Sequence, residues 1–284
     1  MLTVDLALQS ATDLCYKGRI MFKSIDAFRA KLDARRICIG LGITFSDPAV
    51  TECMAASSDF FWIDLEHTPI NLESLQAHLM AARAVDVPGL VRVPCLDIGI
   101  IKRVLDMGAP GLIVPQVRSA AEVRQVVSAC RYQPLGDRGF GPRRASLYGG
   151  YAADKYVKMA NKSLFVSVQI ENTDAYRDLD SILKVPGLDS IVVGPYDLSA
   201  SMGKIGRVND PDVIGAVENI ATKARKAGLH VGIGMGIEED FAVKAVAMGI
   251  NWVQIGCDFH YLAHYTNHVL NGVRARLGSR PADA

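Results

Sequence analysis

The apolar run "FWIDLEHTP" (61–69) ends in Asp64, Glu66 and His67. Two carboxyls and an imidazole at the end of a segment that reads as a buried strand can hold a cation, orient one another and move protons. Polar residues close other apolar runs in the same way: Arg92 in "GLVRVP", Gln169 and Glu171 in "LFVSVQIEN", and Asp197 in "GPYDLSAS". Asp106, in "VLDMGAP", lies between a helical pattern and the next run. Gathered at one mouth, such groups suggest a metal site handling an anionic, oxygen-rich small molecule. Each also has an ordinary structural use. A strand-end carboxylate caps a helix or pairs with a cation, a single histidine serves equally as a hydrogen-bonded structural group, and Asp197 could cap the turn at "DLSAS". Arg92, between Val91 and Val93, is harder to explain away, because arginine is seldom buried without a partner.

The elements that must bring these residues together are legible as an alternation. Short apolar, β-branched runs recur at 37–43, 60–65, 89–94, 111–117, 164–170, 189–194, 229–234 and 251–256 and read as buried parallel strands. Between them lie segments of helical periodicity, with Asn71, Ser119 and Asp210 as N-caps and Gly228 as a terminator. Eight strands alternating with helices predict an α/β fold, a (β/α)8 barrel (TIM barrel), with a doubly wound open sheet as the alternative that counting leaves open. Residues 1–23 form an N-terminal extension to a single catalytic domain over 24–284, and a helix near "SIDAFRAKLDA" is placed at the bottom of the barrel. The segment "RYQPLGDRGFGPRRASLYGGYAADKYVKMANK" reads as an ordered loop with one short helix, and "FHYLAHYTNHVLNGVRARL" as the last helix. In such a barrel the C-terminal ends of the strands carry the chemistry, which is where the polar residues above fall.

Composition narrows the function. With 284 residues, half of them hydrophobic, the chain is long enough for one large core. Lys and Arg total 31 against 30 Asp and Glu with no basic run, so there is no electrostatic footprint for nucleic acid or an anionic membrane. The six cysteines are scattered and read as reduced, mostly core thiols of a cytoplasmic protein. No segment has the pattern of a signal peptide or a membrane span. The expected partner is a small molecule.

The motifs "WIDLEHTP", "VRVP", "IKRVLDMGAPGLIVPQV", "RYQPLGDRGFG", "VQIEN" and "VGPYDLSASMG", in this order over residues 25–280, resemble the metal-dependent class II pyruvate aldolases. Within that group they are similar to the 4-hydroxy-2-oxoheptanedioate and 2-dehydro-3-deoxyglucarate aldolases, relatives of the citrate lyase β subunit. The resemblance implies a barrel whose last helix is exchanged between subunits of a hexamer built as a trimer of dimers. It implies a divalent metal, Mg²⁺ or Mn²⁺ with Co²⁺ as a further candidate, on Glu171 and Asp197. It places the substrate arginine on Arg92, the acid/base histidine on His67, its supporting carboxylate on Asp64 and a further aspartate on Asp106. Gln169 falls beside the metal, and Gly194, Pro195, Tyr196 and Asp197 fall on the loop around pyruvate.

The implied reaction is aldol addition or cleavage between a pyruvate enolate and an aldehyde, on 2-oxo-4-hydroxy acids. A Schiff-base mechanism fits less well, because none of the eight runs contains a lysine. A decarboxylase that adds the enolate elsewhere, a citramalyl-CoA-type lyase and a noncatalytic binding barrel are the competing readings. Leu65 and Tyr196 replace a glycine and an alanine usual in the family's motifs, and both are expected to reshape the aldehyde pocket. Arg143 and Arg144 in the long loop are candidates for a distal carboxylate or phosphate.

Overall fold

All eight apolar runs become strands. The computed structural model describes residues 21–277. Its strands are β1 (Cys38–Ile43), β2 (Phe61–Asp64), β3 (Gly89–Arg92), β4 (Gly111–Val114), β5 (Phe165–Ile170), β6 (Ser190–Val193), β7 (His230–Met235) and β8 (Trp252–Cys257). They pair in chain order, and β8 returns in parallel to β1, so the sheet is a closed barrel and not an open one.

Twelve α-helices surround it among the described residues. They are α1 (Lys23–Asp33), α2 (Ala49–Cys53), α3 (Leu72–Ala84), α4 (Ile98–Asp106), α5 (Ala120–Cys130), α6 (Ala153–Ser163), α7 (Thr173–Arg177), α8 (Leu179–Ile182), α9 (Pro195–Ser201), α10 (Pro211–Lys226), α11 (Glu239–Ala247) and α12 (Asp258–Leu277). The expected caps are in place. Asn71, Ser119 and Asp210 accept from the backbone N–H groups of Ser74, Glu122 and Asp212 at 2.8, 3.3 and 3.1 Å.

Parity along each strand sorts the side chains. Outward-facing Phe61 and Ile63 of the second strand, Leu65 just after it and Val91 of the third join the helices in one hydrophobic layer. The alternate residues belong to a second cluster within the barrel, with Cys38, Phe60, Trp62, Leu90, Phe165 and Trp252 among its members. Continuing the same parity upward gives Asp64 after Phe60 and Trp62, Arg92 after Leu90, and Gln169 and Glu171 after Phe165 and Ser167. A strand therefore delivers aromatic bulk low in the barrel and polar groups at its top, from one periodicity of two.

The lower end is closed by α1. Phe28 is 1% exposed, and its ring meets those of Phe60, Phe165 and Trp252 at 5.4, 5.6 and 6.3 Å between centroids. Trp252 donates from its indole N–H to Ser190 Oγ at 3.0 Å, so its one polar atom is paired inside the core. Met21 and Phe22 are already buried in this cluster, while residues 1–20 of the expected extension lie outside the described residues.

Of the five described cysteines all are free thiols, but only Cys38 and Cys130 are buried. The reading of mostly core thiols is corrected for exposed Cys53 and Cys95 and for half-buried Cys257; Cys15 lies outside the described residues. Among the described residues no helix is long and apolar enough to cross a membrane. Replacing Phe28 with alanine should cost about 3–5 kcal/mol, the usual cost of emptying a large buried aromatic site. Urea unfolding checks this, and a loss under about 1 kcal/mol would mean that α1 lies against the barrel without plugging it.

Candidate active site

Arg92 and Asp64 stand directly opposite each other in the β2–β3 register. Their side chains meet as a fork: Arg92 Nε donates to Asp64 Oδ1 at 2.8 Å and Nη2 to Oδ2 at 2.7 Å. The third nitrogen, Nη1, lies 3.1 Å from Glu66 Oε2, and the guanidinium carbon sits 5.3 Å from the centroid of the Trp62 ring. Burial by itself would pull the guanidinium below its ordinary value, but hydrogen bonds and charge from Asp64, then Glu66 and Glu171, hold it above. Glu66 is pushed up by burial in spite of the opposing Arg92 and His67. The result is a fixed, always charged fork facing the top of the barrel.

Glu171, 2% exposed, follows the last residue of β5. Its Oε1 accepts from the backbone N–H of Gln116 at 2.6 Å, and Gln116 reaches that position with a left-handed φ of 57°. Its Oε2 accepts from Gln169 Nε2, which leaves Gln169 Oε1 buried without a hydrogen-bond partner. Burial raises the Glu171 carboxyl to about 7, against the lowering effect of the Gln116 N–H; Asp197 and Glu66 push the same way as burial. Gly194 makes this packing possible, because a Cβ there would lie 2.6 Å from Glu171 Oε2.

These groups border a cavity of about 340 Å³ at the C-terminal end of the barrel. Asp64, His67, Arg92, Gln169 and the run Gly194, Pro195, Tyr196, Asp197 line it, with Glu171 just beneath the wall formed by Gln169 and Gly194. Asp197 sits in the first turn of α9. Pro195, Tyr196 and Met235 also border a second cavity of about 500 Å³ that contains Glu238 and Lys244, so Tyr196 stands between two spaces. No lysine lines the first cavity.

Three polar residues of this cavity were missed from the sequence: Gln254, Cys257 and His260. The rule that found the others, polar groups at strand ends, applies equally to Gln254 and Cys257 in "NWVQIGCDFH", whereas His260 lies beyond the strand in the first turn of α12. Burial pushes the Cys257 thiol up to about 12, with Asp258 and Asp64 adding to it, so it stays protonated and is no nucleophile.

Several expected contacts are replaced by others. Asp64 does not hold His67: both its oxygens are engaged by Arg92, and His67, largely exposed, has its Nε2 3.6 Å from Glu66 Oε2. The cross-strand register, invisible along one chain, decides this. Asp106 ends α4, and a helix end that leads into the next strand lies at the opposite face from the cavity. It accepts from Arg138 at 2.8 Å there and does not line the cavity. Leu65 packs outward into the hydrophobic layer, as parity demands, and so cannot shape the pocket. Arg144 is buried, donating to the carbonyls of Met107 and Leu79, with burial lowering it to about 10; neither it nor exposed Arg143 reaches the cavity.

Residues 43–265 match the family model described as HpcH/HpaI aldolase/citrate lyase. The chain belongs to that family. It is 38% identical over 249 residues to a 4-hydroxy-2-oxovalerate aldolase of Rhodococcus jostii (strain RHA1), covering 87% of this chain and 95% of that protein. It is 36% identical over 256 residues to a 4-hydroxy-2-oxo-heptane-1,7-dioate aldolase of Shigella sonnei (strain Ss046), covering 90% and 96%. The crystal structure of an HpcH/HpaI aldolase from Desulfitobacterium hafniense DCB-2 superposes with a TM-score of 0.81 at 30% identity, covering 87% of this chain and 96% of that one. For this HpcH/HpaI family member the barrel and its aldolase kinship are thus established together.

The raised Glu171 carboxyl has a sign that can be tested. The folded protein holds this proton up to about 7, whereas a glutamate in the open chain releases it near 4.5. Between those values the native state binds more protons, so the stabilisation present below the unfolded value is lost as pH rises through about 7. For metal-stripped protein the loss should approach about 3 kcal/mol and be absent in Glu171→Gln. Urea unfolding at pH 5 and pH 8, with chelator, measures it; parallel pH slopes for wild type and variant would contradict the assignment.

Proposed function

We propose that this carbon–carbon lyase of the aldolase type joins or cleaves a pyruvate enolate and an aldehyde, acting with a divalent metal on 2-oxo-4-hydroxy acids. The observation that carries the reading is the pre-oriented Arg92 fork sharing one small cavity with Gln169 and Asp197, with Glu171 behind the wall. The names of the related aldolases support it.

The donor set fits Mg²⁺ or Mn²⁺, with Co²⁺ also compatible. Glu171 and Asp197 are hard carboxylate oxygens, and the partnerless buried Gln169 Oε1 is a third oxygen beside them. Among the described residues no group of three or more His, Cys, Asp and Glu could hold a metal, so the protein would supply few ligands and leave positions for water and substrate oxygens. When bound, such an ion supplies Lewis acidity toward the oxygens of a 2-oxo acid. The remaining work falls to the chain. Arg92 holds its positive charge where the enolate oxygen develops, and Asp64, Glu66 and Trp62 keep it from reorienting during the reaction. His67, at the mouth beside Glu66, moves the proton of the hydroxyl on the carbon derived from the aldehyde. The backbone from Gly194 to Asp197 lies against the 2-oxo acid.

Assembly with further copies is part of the same reading. Helix α12 exposes Leu262, Tyr265, Val269, Leu270 and Val273, an apolar face that supports its exchange between subunits of a hexamer. The small-molecule partners remain a 2-oxo acid and an aldehyde.

Proton NMR of pyruvate in deuterated water tests the enolate half-reaction. Methyl-proton exchange should require added Mg²⁺ or Mn²⁺, vanish in Glu171→Ala and fall roughly 10²- to 10³-fold in Arg92→Lys, which loses the fork. Exchange at an undiminished rate without metal would overturn the metal-dependent reading. Tyr196→Ala should merge the two cavities and shift preference toward bulkier aldehydes, with pyruvate exchange changed by less than about threefold. An unchanged acceptor profile would leave Tyr196 a wall without a selective role.

A further inference from the structure

One polar side chain in the cavity wall has no part in the chemistry above. His260, in the first turn of α12, accepts at Nδ1 from the backbone N–H of Cys257 at 3.0 Å. An imidazole that accepts at Nδ1 carries its hydrogen on Nε2. Among the described residues that Nε2 has no protein partner, and the ring is braced by Phe259, with centroids 3.9 Å apart. The ring is therefore fixed by one nitrogen and offers a donor with the other.

Its surroundings give that donor a purpose. In the closed strand order, β8 and β1 lie across the ring from β4 and β5, the side that carries Gln169. On the side of β7, β8 and β1 the cavity is lined, beside His260, by Gly42, Gly234, Met235, Gly236, Gln254 and Cys257. The three glycines carry no side chain to donate, and a Cβ on each would meet in turn Cys257 Sγ at 2.5 Å, Gln254 Oε1 at 3.0 Å and Glu238 Oε2; Gln254 has turned its amide N–H groups to the carbonyls of Met235 and Gly256. The Cys257 thiol is a weak donor. His260 Nε2–H is thus the strong side-chain donor that this wall presents to a bound molecule.

We propose that His260 is a specificity-determining residue that binds the oxygen on C2 of the acceptor, selecting 2-hydroxyaldehydes over unsubstituted aldehydes. The inference rests on the aldolase reading above. A hydroxyaldehyde satisfies the N–H, whereas an alkyl aldehyde covers it and leaves it unpaired, so discrimination follows from the donor already in place.

Steady-state kinetics of the intact Mg²⁺-loaded enzyme with pyruvate and either glycolaldehyde or propanal provide the test, with pyruvate proton exchange followed in parallel. The substitutions separate the two ring nitrogens. In His260→Asn the amide reaches only as far as Nδ1 and can keep the Cys257 contact, while in His260→Gln it reaches the position of Nε2. Asn should lower kcat/KM for glycolaldehyde about tenfold and change propanal by less than about threefold, while Gln should stay within about threefold of wild type for both. Exchange should be unaltered in either variant. Equal losses for both aldehydes, or no loss in Asn, would overturn the assignment while leaving the aldolase reading intact. A wild-type enzyme that exchanges no pyruvate proton would overturn that reading and this assignment with it.

Discussion

The guanidinium of Arg92 is fixed from three sides, by the two oxygens of Asp64, by Glu66 and by the face of Trp62. Much else in the site follows from that clamp. Asp64 is consumed by it, so His67 turns to Glu66, and the backbone N–H of Glu66 is itself held by Asp64 at 2.9 Å. A buried pair of this kind contributes little net stability against an apolar replacement, yet losing one member would strand the other charge at a cost of about 3–5 kcal/mol. Its value lies in orientation. The site also carries more carboxylates than cations: Asp64, Glu66, Glu171 and Asp197 face one arginine, and the Glu171 carboxyl is raised by burial first and by the Asp197 and Glu66 charges after it. A divalent cation would relieve that imbalance.

The barrel prepares this clamp by simple geometry. Inward positions run from Phe60, just ahead of the second strand, to Trp62 and Asp64 within it, so the ring that lies against the guanidinium and the carboxylate that grips it are neighbours on one face of one strand. The fifth strand repeats the scheme from Phe165 through Ser167 to Gln169 and Glu171. Aromatic packing below therefore determines how rigidly polar groups are presented above, and α1 completes that packing from underneath.

The strands and caps were legible because they depend on local chemistry: β-branched runs, and Asn, Ser or Asp one residue ahead of a helix. The rim was legible through a rule of the fold, that strand ends carry chemistry. What one chain read in order does not disclose is which strand-end residues touch. Asp64 meets Arg92 because β2 and β3 pair in that register, 28 residues apart in sequence. Asp106 looked like part of the mouth because it precedes β4, but preceding a strand means lying at its lower end. Leu65 sits beside catalytic positions in sequence and on the other face of the sheet in space. His260 went unread because it lies just past its strand, already in a helix, where its apolar neighbours suggested only packing.

The aromatic floor has a consequence for kinetics. Closed from below, the barrel has one door, and everything that reacts in it must share that door. A ligand against Glu171, 2% exposed, lies deeper than one against Tyr196, 47% exposed. On the reading proposed above, a 2-oxo acid at the inner position would precede an aldehyde at the outer one, and an excess of aldehyde would slow its exit. Phe28, Phe60, Phe165 and Trp252, which close the lower end and stand remote from the cavity, would on that reading favour an ordered addition at the other end of the barrel.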